Sequence, residues 1–427
     1  MAGPGSTFSA LNDALALQYD REFRGVIEWS KGTLGAMIKK VVATGLTTAI
    51  PVRSGVSAAV SATFANAQTQ AQTVFTKVEQ FLPPITKKYG VAQIDGLLLR
   101  AAKQEKGRVF DNMCQQIDGI NDGVMQSFSW GVYGNGYGAI GKVGTAAQGE
   151  TLASTRLVLA NPEDVVKFVP KMKLMTAQDD VSACRNGGAT VTVLGIEDLQ
   201  KGWVTLTGNL TAGIAAATFG DSLYVEGDRA VGATPTPLCL NGLDGWFPTT
   251  APTTTDWATG VDRSNDANLR GTIIDLSTST KNKEEAVIEA VTASVRYGGD
   301  ANKLTYFTNN TNYKELTLLG MSKFRPTTVK GPYGIGFQGV KVFTDSGEIP
   351  VMPDRFCPVQ RSYLLDMGTI KYYGVGSAEV PMFIDDDGAG KILRMTDADA
   401  VECRVGYFGY IGCNNPVVNV VVVHSTT

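Results

Sequence analysis

Histidine is almost missing from this chain: of 427 residues only His424 is a histidine. That scarcity excludes triads built on an imidazole base, His-ligated metal centres and paired His acid–base chemistry. An enzyme of this composition would have to work with carboxylates, Lys, Tyr or Cys. Charge is also scarce. Charged residues make up 19% and the net charge is −3, against about 25% charged in ordinary globular chains. A basic footprint for sequence-specific nucleic-acid binding is therefore absent. The six cysteines, Cys114, Cys184, Cys239, Cys357, Cys403 and Cys413, form no C-x-x-C pair and read as reduced, mostly buried thiols. Cys403 and Cys413 are expected as a core pair. No apolar run approaches the roughly 18 residues of a membrane span; the longest, VVNVVVV over 417–423, has the length of a strand. The opening MAGPGSTFSAL lacks a basic and then apolar leader, so no secretory signal is expected and the chain is expected to be made in a cytoplasm. No solenoid period is present.

Hydrophobic residues make up 43%, and there are 48 glycines, which points to an ordered, loop-rich chain with much β structure. Its length suggests roughly three domains or one core with large insertions, and a globule of this size buries about 75% of its unfolded surface. Residues 9–23 read as a short amphipathic helix. Residues 45–92 read as extended segments with too few large apolar residues for a core of their own, an arm or long hairpin. No proline falls between Pro84 and Pro162. Within that gap Ile94, Leu97, Leu98, Ala101, Val109, Phe110, Met113, Ile117, Ile120, Val124 and Phe128 recur in steps of three and four. One helix is predicted over 94–133, about 60 Å long, ending at the glycine-rich turn 132–141. Short β-branched strands are predicted over 156–230, with GIAAATFG (213–220) as a link, and loops over 231–270. Residues 282–296 read as a helix with acidic residues first and Arg296 last. A strand at 304–307 and a helix at 310–320 follow, then strands near 338–344, 348–352, 361–366, 391–395, 400–411 and 417–423.

The chemical motifs fail on context. Gly136, Gly138, Gly141 and Gly334, Gly336, Gly339 both fit G-x-G-x-x-G, yet neither lies between a predicted strand and a helix, as a dinucleotide turn requires. GYGAIGK (136–142) approaches a phosphate loop but has Val143 where the metal-binding hydroxyl belongs. Asp385, Asp386 and Asp387 are consecutive rather than alternating, so they read as a solvated turn rather than a calcium loop. Asp397, Asp399 and Glu402 read as one strand face. No catalytic, cofactor-binding or metal-binding residue is expected, which leaves shape and contact as the means of action.

The order of segments carries more information than any single motif. An arm and a long hairpin lead into a 40-residue helix with a Tyr-Gly-x-Gly turn. NPEDVVKF (161–168), NGLDGW (241–246) and GVDRS (260–264) follow, then the helix–strand–helix unit 282–320, MPDR (352–355) and ECRVGYFGYIGCNNP (402–416). Together these resemble the major capsid proteins of tailed bacteriophages, which share the Hong Kong 97 fold. The resemblance implies an α+β fold with an N-terminal arm (1–44), an extended loop (45–92) that lies over a neighbouring subunit, and a peripheral domain (93–175) with spine helix 94–133. It further implies an inserted β-rich subdomain (176–230), connecting loops (231–270), an axial domain (271–380) and closing strands (381–427). The function implied is self-assembly, as hexamers and pentamers, into an icosahedral shell around double-stranded DNA held without sequence specificity. A separate scaffolding protein or none, a portal and a decoration protein are the further partners implied, with a virion location and no membrane. Val74, Phe75, Val78, Phe81 and Leu82 are the expected inter-subunit contacts. Some members join a Lys to an Asn covalently; Lys87, Lys88, Asn414 and Asn415 show no positional match to that pattern. The alternatives are another phage structural component, such as a decoration or tail protein, and a carboxylate-based enzyme.

Overall fold

The computed structural model describes residues 32–45, 48–55, 57, 59–72, 77–96, 108–232, 235–252, 257–258, 261–277, 279, 281–320, 326–330, 336–384, 392–395 and 398–424. The predicted helix at 9–23 lies outside them. The helices are α1 (Thr33–Met37), α2 (Phe64–Ala71), α3 (Arg108–Gly131), α4 (Leu210–Gly213), α5 (Leu243–Trp246), α6 (Lys283–Arg296) and α7 (Asn310–Gly320). Among the described residues the strands form three larger sheets and one hairpin.

The first sheet is organised by its longest strand, β20 (Ala400–Cys413). β17 (Ile370–Gly374) pairs with one side of it and carries β1 (Lys39–Val42) in parallel at the edge. β18 (Met382–Phe383) and β19 (Ile392–Arg394) pair further along that same side of β20, and β4 (Thr86–Asp95) pairs with its other side. The β4–β20 ladder runs antiparallel over ten residue pairs, from Thr86↔Gly409 to Asp95↔Ala400. It corrects two expectations. Residues 86–92 belong to this sheet rather than to an extended loop, and Ile94 and Asp95 are strand rather than helix. A partner strand more than 300 residues away decides the matter, where local helical spacing could not. The spine helix is described from Arg108 to Gly131, about 36 Å at 1.5 Å per residue; 97–107 lie outside the described residues, and the helix stops two residues short of the predicted 133. It lies directly on β4 at Gly90, where a Cβ would stand 2.6 Å from Ile120 Cγ2 and 2.9 Å from Val124 Cγ2.

The second sheet comprises β5 (Ala139–Lys142), β10 (Ser222–Val225), β7 (Lys173–Ala177), β8 (Val191–Asp198), β9 (Trp203–Leu206) and β6 (Arg156–Val158), in that order. The Val143↔Leu159 bridge and the Ala160 N–H to Lys142 carbonyl bond join its two ends, so it closes as a small barrel. Ile140, Leu157, Phe168, Leu174, Val193, Val204 and Leu223 fill its interior. The β-rich insertion was expected to begin at residue 176; β5 and β6 carry it back to 139. The glycine-rich turn is shorter than expected for the same reason. Gly141 is in β5, and the phosphate-loop-like lysine, Lys142, ends that strand. The barrel is tied down by Lys88 to Asp228, Asn135 Nδ2 to Asp180 at 2.6 Å, Gln126 Nε2 to the Val166 carbonyl at 2.9 Å, and Thr311 to Glu163.

The third sheet runs β11 (Thr272–Asp275), β21 (Val420–Val423), β16 (Arg361–Asp366), β12 (Leu304–Thr308), β15 (Gly347–Pro353), β14 (Gly336–Thr344) and β13 (Pro326–Lys330). α6 covers it with Ala286, Val287, Ala290, Val291 and Ser294. Asn282 and Glu285 form a capping box at its start, which satisfies two otherwise orphaned N–H groups. The second glycine motif falls partly here: Gly336 and Gly339 are in β14. Cys403 and Cys413 are buried with free thiols on one strand, β20.

Candidate assembly interface

The remaining strands, β2 (Ile50–Arg53) and β3 (Val78–Phe81), pair only with each other among the described residues. Their hairpin has a buried root and an exposed far end. At the root, Ile50, Val52 and Phe81 are buried with Trp246 in the main core. Phe81 lies 5.1 Å from the Trp246 ring and 6.0 Å from Trp257, which are themselves 4.8 Å apart edge to face. Each indole is fixed by a hydrogen bond: Trp246 Nε1 donates to the Ile411 carbonyl at 2.9 Å, and Trp257 Nε1 to the Gly245 carbonyl at 2.8 Å. Arg263, 1% exposed, stands 5.3 Å from the Trp257 ring and donates to the carbonyls of Leu269, Gly245 and Trp246. A buried guanidinium is tolerated because its donors meet backbone acceptors. Ile50 also packs where a Cβ on Gly412 would stand, so β20 carries a glycine there. Asp262, the residue before Arg263, is exposed; hydrogen bonds from Ser264 and Asn265 pull its carboxyl down to about 2.

A second buried hub holds the N-terminal segment. Asp354 Oδ2 accepts from Leu34 N and from Tyr133 Oη, each at 2.9 Å, and Oδ1 accepts from Phe356 N at 3.0 Å. One carboxylate thus joins α1, the end of the spine helix and the third sheet. Burial pushes Asp354 above the usual carboxylate range, against these bonds.

Beyond the root the chain reaches outward without charge: no Asp, Glu, Lys or Arg occurs between Arg53 and Lys77. α2 lies in this stretch and buries none of its residues. Val60 and Phe64 are 84% and 82% exposed. An isolated eight-residue helix is marginal in water, and exposed residues of this size are the kind that partners cover.

The five expected contacts separate accordingly. Val78 and Leu82 are 52% and 53% exposed. Phe81 is the correction: it is fully buried inside its own subunit, because the alternation along β3 turns it inward onto the two tryptophans. Val74 and Phe75 lie outside the described residues. Sequence reading missed Val60 and Phe64, for which the long uncharged stretch was the available signal. It also took 231–270 for connecting loops, where Trp246, Trp257 and Arg263 hold the root. Among the described residues no group of three His, Cys, Asp or Glu side chains is placed to hold a metal, and no helix is long and apolar enough to cross a membrane.

Against solved structures, the chain aligns nearly end to end with the cyanophage A-1(L) capsid asymmetric unit. The match covers 97% of this chain and 98% of that one, at 11% identity and a TM-score of 0.55. This chain has the Hong Kong 97-type capsid fold. The capsid of the empty GTA particle aligns over 98% of both chains at 9% identity, with a TM-score of 0.43. That of cyanophage P-SCSP1u aligns over 99% of this chain and 96% of its own at 11% identity, with a TM-score of 0.40. No family model matches the sequence, and no curated protein matches it.

Proposed function

We propose that this chain is a major capsid protein that assembles, as pentamers and hexamers, into an icosahedral shell around a double-stranded DNA genome. The observation that carries the reading is the end-to-end alignment with a cyanophage capsid subunit. The first sheet and spine helix act as the peripheral domain, the third sheet as the axial domain, and β2–β3 with α2 as the extended loop. Val78 and Leu82, with Val74 and Phe75, face a neighbouring copy, and Val60 and Phe64 join them. Fully burying a Phe is worth about 1.5–3 kcal/mol, and a closed lattice repeats that gain at every subunit. The role is structural, with no catalysis and no cofactor. DNA is held without sequence specificity, consistent with a net charge of −3. A separate scaffolding protein, a portal and a decoration protein are further partners in this reading. The particle is assembled in the host cytoplasm.

Negative-stain microscopy of the purified chain, alone and across a salt series, tests the proposal. Rings, tubes or shells of uniform curvature are expected. A species that stays monomeric in sedimentation at high concentration in every salt would overturn it.

A further inference from the structure

The chain contains three Asn-Gly dipeptides: Asn135–Gly136, Asn186–Gly187 and Asn241–Gly242. All three have the same intrinsic chemistry. The backbone nitrogen of the glycine can attack Cγ of the preceding asparagine, because glycine has no side chain to obstruct the approach. A bond forms between that nitrogen and Cγ, and the Cγ–Nδ2 bond breaks. Ammonia leaves carrying the proton lost from the glycine nitrogen. Water then opens the five-membered imide at one carbonyl or the other, giving aspartate or isoaspartate. Folded structure decides which dipeptide can reach that geometry.

Two of the three are held. Asn135 donates from Nδ2 to Asp180 at 2.6 Å and accepts from Tyr137 N at 3.2 Å through Oδ1. Gly136 is buried, with space for a Cβ limited by Pro237 at 3.0 Å. Asn241 is 2% exposed, and Gly242 lies against the Gly131 and Val132 carbonyls, with no room for a Cβ. Moving either backbone requires opening the junction between spine helix and barrel.

Asn186–Gly187 is different on every count. Both residues are exposed, and nothing lies within 4 Å of a Cβ built on Gly187. Both adopt the left-handed conformation, at φ 46° and 63°, which asparagine and glycine visit most readily. The bond across the turn, Ala189 N to the Asn186 carbonyl, is long at 3.3 Å. The turn sits at one end of the barrel, between Cys184 and β8, and can open without disturbing a core.

We propose that Asn186 is a site of spontaneous covalent modification, converting to aspartate and isoaspartate in the folded protein while Asn135 and Asn241 stay amides. Each conversion adds one negative charge to a chain whose net charge is −3. The change is placed on the barrel's outer end, next to the Arg185–Asp221 ion pair. The inference does not depend on the assembly reading.

The test uses the full chain, incubated at mildly alkaline pH both native and in denaturant. Peptide mapping with a protease that does not cut at Arg185 then follows the three asparagines by mass, and isoaspartyl content is measured by methyl acceptance. In the native protein Asn186 should convert at least about tenfold faster than either other site, since local opening sets the protection. In denaturant the three rates should draw together, which shows that structure rather than sequence separates them. Asn186→Gln should remove the isoaspartyl signal from the native protein. Equal native rates at the three sites, or an unchanged Asn186 after the denatured chain has converted, would overturn the proposal.

Discussion

At the scale of single residues, the lone histidine is informative in a way its scarcity did not suggest. His424 Nε2 lies 2.7 Å from Ser362 Oγ, which lies 2.7 Å from Thr308 Oγ1. Burial, helped by the charge of Lys283, pushes the imidazole down to about 4. The folded chain therefore keeps His424 neutral, while the unfolded chain takes up a proton near pH 6.5. Its stabilising contribution is complete above pH 6.5 and is lost as the pH falls towards 4. The loss approaches about 3 kcal/mol by proton linkage. Thermal unfolding from pH 7 to pH 4.5 should show a steeper fall in Tm for the natural chain than for His424→Gln. Parallel pH slopes for the two proteins would remove His424 from the account.

At the scale of elements, the clearest dependence is the seating of the spine helix on β4. Gly90→Ala places a Cβ 2.6 Å from Ile120 and 2.9 Å from Val124, an overpacking that costs about 1–3 kcal/mol. Gly195→Ala is the matched control, a strand glycine with nothing within 4 Å of its Cβ. Denaturant midpoints should fall for the first variant and hold for the second; equal shifts would mean that the helix does not sit where described. Elements with local signals were legible beforehand. α6 has its cap, acidic first turn and Arg296, and α7 and β16 match their predicted spans. Elements defined by distant partners were not. β4 carries spacing that suits a helix or a strand, and β20 decides it. β17, with its five residues IKYYG, is fixed as a strand by its pairing with β20. The barrel's true start at Ala139 was hidden in a glycine-rich turn, because closure depends on a bridge between Val143 and Leu159. The root of the hairpin was hidden by composition: Thr- and Gly-rich sequence reads as loop, although the tryptophans within it are central to the core.

At the scale of the whole molecule, burial divides the hairpin into a part packed in the subunit core and a part left exposed. Phe64→Asp should leave circular dichroism and Tm unchanged yet weaken or stop particle formation, since Phe64 touches little in its own chain. Phe81→Asp should unfold the subunit: loss of a buried Phe alone costs about 3–5 kcal/mol, before the burial of a charge is added. Sedimentation and circular dichroism of the two variants separate the roles. A Phe64→Asp chain that unfolds, or a Phe81→Asp chain that folds and assembles, would show that the boundary between root and tip is misplaced.

The root has a further mechanical consequence. β2 and β3 are each four residues long, so a pull on the outer end of the hairpin has a short path to Phe81 and the two indoles against it. These rings donate hydrogen bonds to the carbonyls of Ile411 and Gly245, on β20 and in α5. The hairpin is thus a lever with an aromatic fulcrum. A load on the outer end would reach β20 through the Trp246–Ile411 bond, with the two tryptophans on its path.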